Sequence, residues 1–441
     1  MISIEASLPT LYGADCRDRV QPLLASRYQS TVDSVWNLIG GDLEPPSLHV
    51  VHSPIARPTT LVDLNGHHLV YDQYLGQMFN RLTRIELLLP GANVVDAYVF
   101  KLFGQRNLIR GRWRQASAMA SVSGVAANQQ QIRSALVEPE DIFGFRTVLT
   151  HVQETFAIAH ELVHSVLARN AGDELRVKFE PVLEAQRIHL EKAKLDLADP
   201  AYRARYVQSL KDDRKTLEDR RGIPNSGAPF WELSLAEDVA EIERRVVLLR
   251  DPTLIEEGIC DYFGAIAAAE TMSPDDDDRP TFYAAATLGL LHLRLIQYLD
   301  NLVDDDTEIR RSDDFDQSVL RASLLRTGLR TDVAARSNSA SNVAEFDGIA
   351  TEFNRAHSSS VLDQVLTVDL PGLTKKFMAF ETKAEVDDPA HQGTIREFLG
   401  FGGIPSLTRH AADGLLANRN SLSRELIDQT VARSDSTDPT L

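Results

Sequence analysis

Cysteine is nearly missing from this 441-residue chain: only Cys16 and Cys260 occur. So few thiols exclude a disulfide scaffold and fit a reducing, cytoplasmic setting. Positive charge is short as well, with 46 Lys and Arg against 64 Asp and Glu and a net charge of −18. No basic stretch could follow a phosphate backbone, so nucleic acid is not an expected partner. Long apolar runs are also lacking. The most apolar stretch, Tyr283 to Leu299, carries His292, Arg294 and Gln297, which predicts a buried helix and no membrane span. The amino terminus has neither the basic start nor the unbroken apolar run of a signal peptide. No repeat period and no phosphate-cradling G-x-x-x-x-G-K-S/T motif occur. The glycine-rich Gly400–Gly403 segment follows a helical pattern and reads as a helix stop. The acidic run Asp275–Asp278 lacks calcium-loop spacing and reads as a solvated turn.

What the chain does contain is an H-E-x-x-H motif, His160-Glu161-Leu162-Val163-His164. On a helix the two histidines stand one turn apart on one face. Both rings can then reach a single Zn²⁺ at roughly 2.0–2.1 Å, with Glu161 presented beside them. Phe156, Ile158, Ala159, Leu162, Val163, Val166 and Leu167 surround the motif, and a helix apolar on nearly every side is a buried one. Buried imidazoles and a carboxylate need partners.

A catalytic zinc of this type takes a third protein ligand and keeps one position open. The extended motif with a third histidine needs Gly at 167 and His at 170, where this chain has Leu167 and Asn170. A second helix is the remaining source. Residues 253–265 carry Glu257 and Asp261 four apart, one positioned to ligate and the other to accept the free N–H of a ligand histidine. The neighbouring Glu256 follows Thr253 by three positions, a capping box that gives it a structural role. Glu237 and Glu241 read as the solvated face of an amphipathic helix.

These two segments resemble the gluzincin metallopeptidases, the thermolysin-like branch whose pattern is HExxH followed by an E-x-x-x-D helix. The resemblance covers 156–167 and 254–265 only, and the 93 positions from His164 to Glu257 exceed the gap in compact members. It implies that His160, His164 and Glu257 hold one Zn²⁺, that Glu161 is the general base, and that Asp261 orients a ligand. The implied activity is zinc-dependent hydrolysis of a peptide or protein substrate through a metal-activated water. Two other classes stay open: a zincin-like partner-binding protein with lost or restricted activity, and a metal-free helical interaction protein. For the oxyanion, Tyr262, Tyr283, His292 and Tyr298 are suitable types, and spacing selects none of them.

The expected fold is α+β and predominantly α, a zincin-like domain with a small N-terminal sheet plus a C-terminal helical domain. Residues 1–44 read as a helical lead-in and 45–275 as the catalytic domain. Within it, a charged helical pair at about 171–225 reads as an insertion, broken at Asp199-Pro200 and ended by the Gly222–Gly227 stretch. Residues 276–434 read as the second domain, with polar breaks near 336–342 and 386–393, and 435–441 as a disordered tail. Strands are expected over Leu48–His52, Thr60–Leu64 and His67–Asp72, the last two as a hairpin turning at Asn65-Gly66. Strand 67–72 is a candidate for β-addition of substrate. Adjacent His67 and His68 face opposite ways on a strand and do not form a second metal site. Residues 73–135 read as helical, with Ser117–Gln131 a loop or a poorly packed helix end. Oligomeric state leaves no mark in the sequence.

Overall fold

The computed structural model describes residues 22–400 apart from 52–57, 64–65, 89–91, 111, 127–136, 170–171, 210–229, 274, 304–312, 338–339, 363, 366–367 and 380–386. The expectations for 1–21, the Gly222–Gly227 stop, the segment beyond Gly400 and the tail therefore lie outside the described residues. Helix α1 (Pro22–Ile39) leads into strands β1 (Ser47–Val51), β2 (Thr59–Asp63) and β3 (Gly66–Asp72). Thereafter the described chain is helical: α2 (Gln73–Leu88), α3 (Ala92–Ile109), α4 (Trp113–Ala126), α5 (Glu140–Leu167), α6 (Gly172–Ala198), α7 (Phe230–Leu248) and α8 (Pro252–Met272). These are followed by α9 (Arg279–Val303), α10 (Asp313–Ser337), α11 (Ala340–His357), a π-helical turn (Ser358–Leu362), α12 (Leu370–Met378) and α13 (Pro389–Gly400). The fold is α+β and predominantly α. No helix among the described residues is long and apolar enough to cross a membrane.

The sheet has the order β1-β3-β2, with β1 parallel and β2 antiparallel to β3. Leu69, Val70 and Tyr71 are all fully buried, so β3 is covered on both faces as a central strand must be. This overturns its expected role in β-addition, because both of its edges are already hydrogen-bonded to β1 and β2. The hairpin turn also shifts by one residue. Asp63 pairs with Gly66, which makes Gly66 the first residue of β3. Its φ of +133° lies where only glycine sits without strain.

Over its part of Ser117–Gln131 helix α4 takes the helical alternative, and it is closely packed where poor packing was expected. Its Ala116, Ala118, Met119, Ala120 and Val122 are buried, small side chains that let α3 approach closely. The charged pair expected as a solvent-exposed insertion buries one face. Phe179, Val182 and Leu190 of α6 join a cluster with Val163 of α5 and Leu254 of α8. Gln186 bridges α6 to Ser323 and Thr327 of α10 at 2.9 and 2.8 Å. Helix α6 ends at the expected Asp199-Pro200 break, and 200–209 continue as a further helical stretch.

Three large hydrophobic clusters form the core, and α5 and α8 contribute to every one. Helix α9 supplies Leu295, Ile296, Leu299 and Val303 to the first, and Phe282, Tyr283 and Leu290 to the second. The expected boundary after residue 275 therefore falls inside a shared core. Helix α1 is likewise built in: Tyr28 and Val32 are core residues, and Tyr28 Oη donates to the buried Glu154 of α5 at 2.8 Å.

Candidate metal centre

Helix α5 starts with Glu140 and Asp141 in its first turn, where carboxylates favour the helix dipole. Its burial rises along the chain until Phe156, Ile158, Ala159, Leu162 and Val163 are fully enclosed. His160 is buried in that half, while Glu161 and His164 are half-buried. Helix α8 is started by Asp251, whose carboxylate accepts from the N–H groups of Thr253 and Leu254 at 2.8 and 3.4 Å, with Pro252 as its first residue. The two helices meet at Gly264, where a Cβ would lie 2.9 Å from the His160 nitrogen and 3.1 Å from its Cα. Only a residue without a side chain permits that approach.

The contact brings Glu257 against both histidines. Its Oε2 is 3.5 Å from His160 Nε2 and its Oε1 is 3.4 Å from His164 Nε2. Donor atoms of the three residues all lie within 4.8 Å of one another. These separations exceed the hydrogen-bond mode of about 2.9–3.0 Å. Each, measured to a different oxygen of Glu257, is close to the about 3.3–3.4 Å between donors set tetrahedrally at about 2.0–2.1 Å from one zinc ion. Two neutral imidazoles and one carboxylate are also the ligand chemistry that zinc takes in hydrolytic sites.

The opposite ring nitrogens are tied back. His160 Nδ1 donates to Asp261 Oδ1 at 3.0 Å, and His164 Nδ1 to Glu256 Oε1 at 3.3 Å. A carboxylate only accepts, so each bond fixes Nδ1–H and turns the Nε2 edge of the ring toward Glu257. The capping-box role expected of Glu256 is thereby corrected, since Asp251 holds the helix start and Glu256 is free to hold His164.

Arg321 of α10 completes the centre and has no signal in the sequence. Its guanidinium forks onto Asp261 at 2.8 and 2.9 Å and reaches Glu257 Oε2 at 2.8 Å. Burial pushes the Asp261 and Glu257 carboxyls up. The Arg321 charge and His160 outweigh it at Asp261, as His160, His164 and Arg321 do at Glu257, so both end below the usual carboxylate range. Burial pulls the His160 imidazole down, yet Asp261 and Glu257 raise it to about 10. A proton and a divalent cation compete for that nitrogen, and the field that favours the first favours the second.

Glu161 stands apart from this cluster and faces the sheet. Thr60 of β2 donates its N–H to Glu161 Oε2 and its hydroxyl to the Glu161 carbonyl, each at 2.8 Å. Among the described residues no strand pairs with the outer edge of β2. Glu241 is occupied by Arg245, and the Glu237 side chain lies outside the described residues. Of the oxyanion candidates, Tyr283 donates to Asp332 and His292 is buried away on Glu86.

A second triad sits in the core. Glu86 of α2 accepts from His292 of α9 at 2.8 Å and from His357 of α11 at 2.7 Å. These lengths are hydrogen bonds and fall short of metal-ligand spacing, so the triad joins three helices through protons. His49 and His68 meet in pairwise contact at 3.1 Å. Cys260 of α8 is fully buried in the cluster that α8 shares with α5, α6 and α10, a small apolar filler. Compared with known proteins, the chain matches no family model, and no curated protein or solved structure is similar enough to count as a match.

Proposed function

We propose that this chain is a zinc-dependent peptidase of the gluzincin kind, with a zincin-like catalytic unit built on α5, α8 and the small sheet. The observation that carries the reading is the convergence of two Nε2 atoms on Glu257 at 3.4–3.5 Å while both Nδ1 atoms are held outward by carboxylates. His160, His164 and Glu257 would hold the ion. Bound there, zinc supplies a Lewis acid that polarises a carbonyl and makes water acidic enough to lose a proton near neutral pH. Asp261 and Glu256 keep the imidazoles in the ligating tautomer, and Arg321 keeps Glu257 and Asp261 ionised.

Glu161 is the general base. Its Oε2 is steadied by the Thr60 N–H, so the carboxylate takes the proton from water and passes it to the leaving amine. The same contact sets the β2 edge beside the base, which supports an extended peptide lying along that edge as an added strand. β2, and not β3, is the strand available for this.

The Glu257–Arg321 contact at 2.8 Å favours a second reading. The same six side chains close an ion-pair network without a metal, as a helical interaction protein would use them. Metal analysis of chelator-free protein separates the two. One equivalent of zinc, lost with His160→Ala, supports the peptidase. Less than about half an equivalent supports the network, given the affinity typical of such sites. Glu161→Gln is expected to retain zinc and to lose cleavage of a casein-type substrate; cleavage that survives the change overturns the mechanism.

A further inference from the structure

The charged groups at the centre have counter-charges, and among the described residues a cation on a helix packed against it has none. Arg294 lies on α9, the helix packed against both α5 and α10. Its side chain is half-buried, and its Nε is shielded from solvent without a hydrogen-bond partner. No described residue forms an ion pair with it. The charges that bear on it are Arg321 and Arg245, both cationic, and after burial itself they lower its guanidinium to about 10. Arg321 is balanced by Asp261 and Glu257, and Arg245 by Glu241. Among the described residues Arg294 is left as a positive charge without a counter-ion, beside two arginines of which Arg321 touches the proposed metal ligand. Shielding such a cation among its own kind is unfavourable unless an anion arrives. Strained charges of this sort gather at binding sites.

We propose that Arg294 receives a carboxylate of the substrate, so that the centre acts on peptides carrying either a free C-terminus or an acidic side chain near the scissile bond. The inference rests on the peptidase reading for the word substrate. A planar guanidinium matches a carboxylate with two parallel hydrogen bonds, which lysine cannot make. The strongly negative chain, at −18 overall, disfavours a polyanion and suits a single carboxylate on an otherwise uncharged segment.

The test uses the full chain carrying Glu161→Gln, which holds peptide without turnover. Four dye-labelled hexapeptides of Ala and Leu serve as probes: one with a free C-terminus, one amidated, one amidated with an internal Glu, and one amidated with Gln in its place. Fluorescence anisotropy is expected to show the free-acid or the Glu peptide binding about tenfold or more tighter than its neutral counterpart. Adding Arg294→Gln should abolish that preference, and Arg294→Lys should restore only part of it. Which acidic peptide is preferred tells the two sources apart. Arg294→Gln should leave the thermal midpoint equal or higher, because it removes an uncompensated charge; a lower midpoint marks a structural role and overturns the proposal. Equal binding of all four probes, no binding of any, or a preference untouched by Arg294→Gln overturns it too. A preference that depends on Arg294 in a wild-type protein that cleaves nothing sinks the peptidase reading and leaves the carboxylate site standing.

Discussion

Glu256 and Glu257 are neighbours about 100° apart around α8, and the centre gives them different work. Glu257 meets both Nε2 atoms, whereas Glu256 touches only the Nδ1 of His164. Glu257→Ala is therefore expected to abolish stoichiometric zinc binding, while Glu256→Ala weakens it by roughly tenfold, the usual effect of removing a group that orients a ligand. Competition against a zinc chelator measures both, and equal losses would contradict the assignment. Lys101 offers a pH test away from the centre. It is buried beneath the Phe398 ring, 5.4 Å from its centroid, and burial followed by Arg81 lowers its ammonium to about 7. The folded value lies below the unfolded one, so the native state binds fewer protons between pH 7 and about 10.4, and stability rises with pH through that window. Lys101→Met should flatten the rise and add on the order of 2–4 kcal/mol at pH 6. Urea titrations at pH 6 and 9.5 check it; a parallel pH slope in the variant refutes it. At this scale the pairing of His160 with His164 and of Glu257 with Asp261 was legible because helical spacing is local, whereas nothing in the sequence told that Glu161 would turn to Thr60. Arg321 and Arg294 were not legible, because nothing but tertiary packing joins α9 and α10 to the motif.

At the scale of elements the contact of α5 with α8 decides how far Glu257 stands from the two histidines, and Gly264 decides the contact. A methyl group there meets backbone, the nitrogen and Cα of His160, and backbone cannot swing aside. Gly264→Ala is expected to cost about 1–3 kcal/mol through overpacking and to weaken zinc binding in step, since the helices must part. Denaturant titration and zinc competition on the same variant test this; intact zinc affinity would show that the contact does not set the spacing. Element identity was readable wherever the period was clean, as in α5, α8, α9 and the β2–β3 hairpin. It failed where identity depended on neighbours. Ser117 to Ala126 looks too small and polar to pack, until α3 lies close enough to need small residues. Strand β3 looks available for substrate, until β1, paired with it 21 positions upstream, closes its edge.

Over the whole molecule the clusters run across the acidic turn at Asp275–Asp278, where Arg279 pairs with Asp276. A run of exposed charge resembles a linker in the sequence because composition reports solvation and says nothing of what the flanking helices share. The fragment 1–275 would leave bare the faces of α5 and α8 that α9 and α10 cover. It is expected to keep helical far-ultraviolet circular dichroism but to melt without cooperativity and to bind a hydrophobic dye. A sharp, cooperative melt of that fragment would establish an autonomous first domain.

Because the helix bearing both imidazoles is anchored in every large cluster, its rings are held in place by dispersion and burial, independently of any ion. On the peptidase reading, the cage would be assembled before its guest arrives. Metal capture should therefore resemble docking at a rigid receptor, quick and reversible, and stripping the ion should silence the chemistry while the scaffold stays upright.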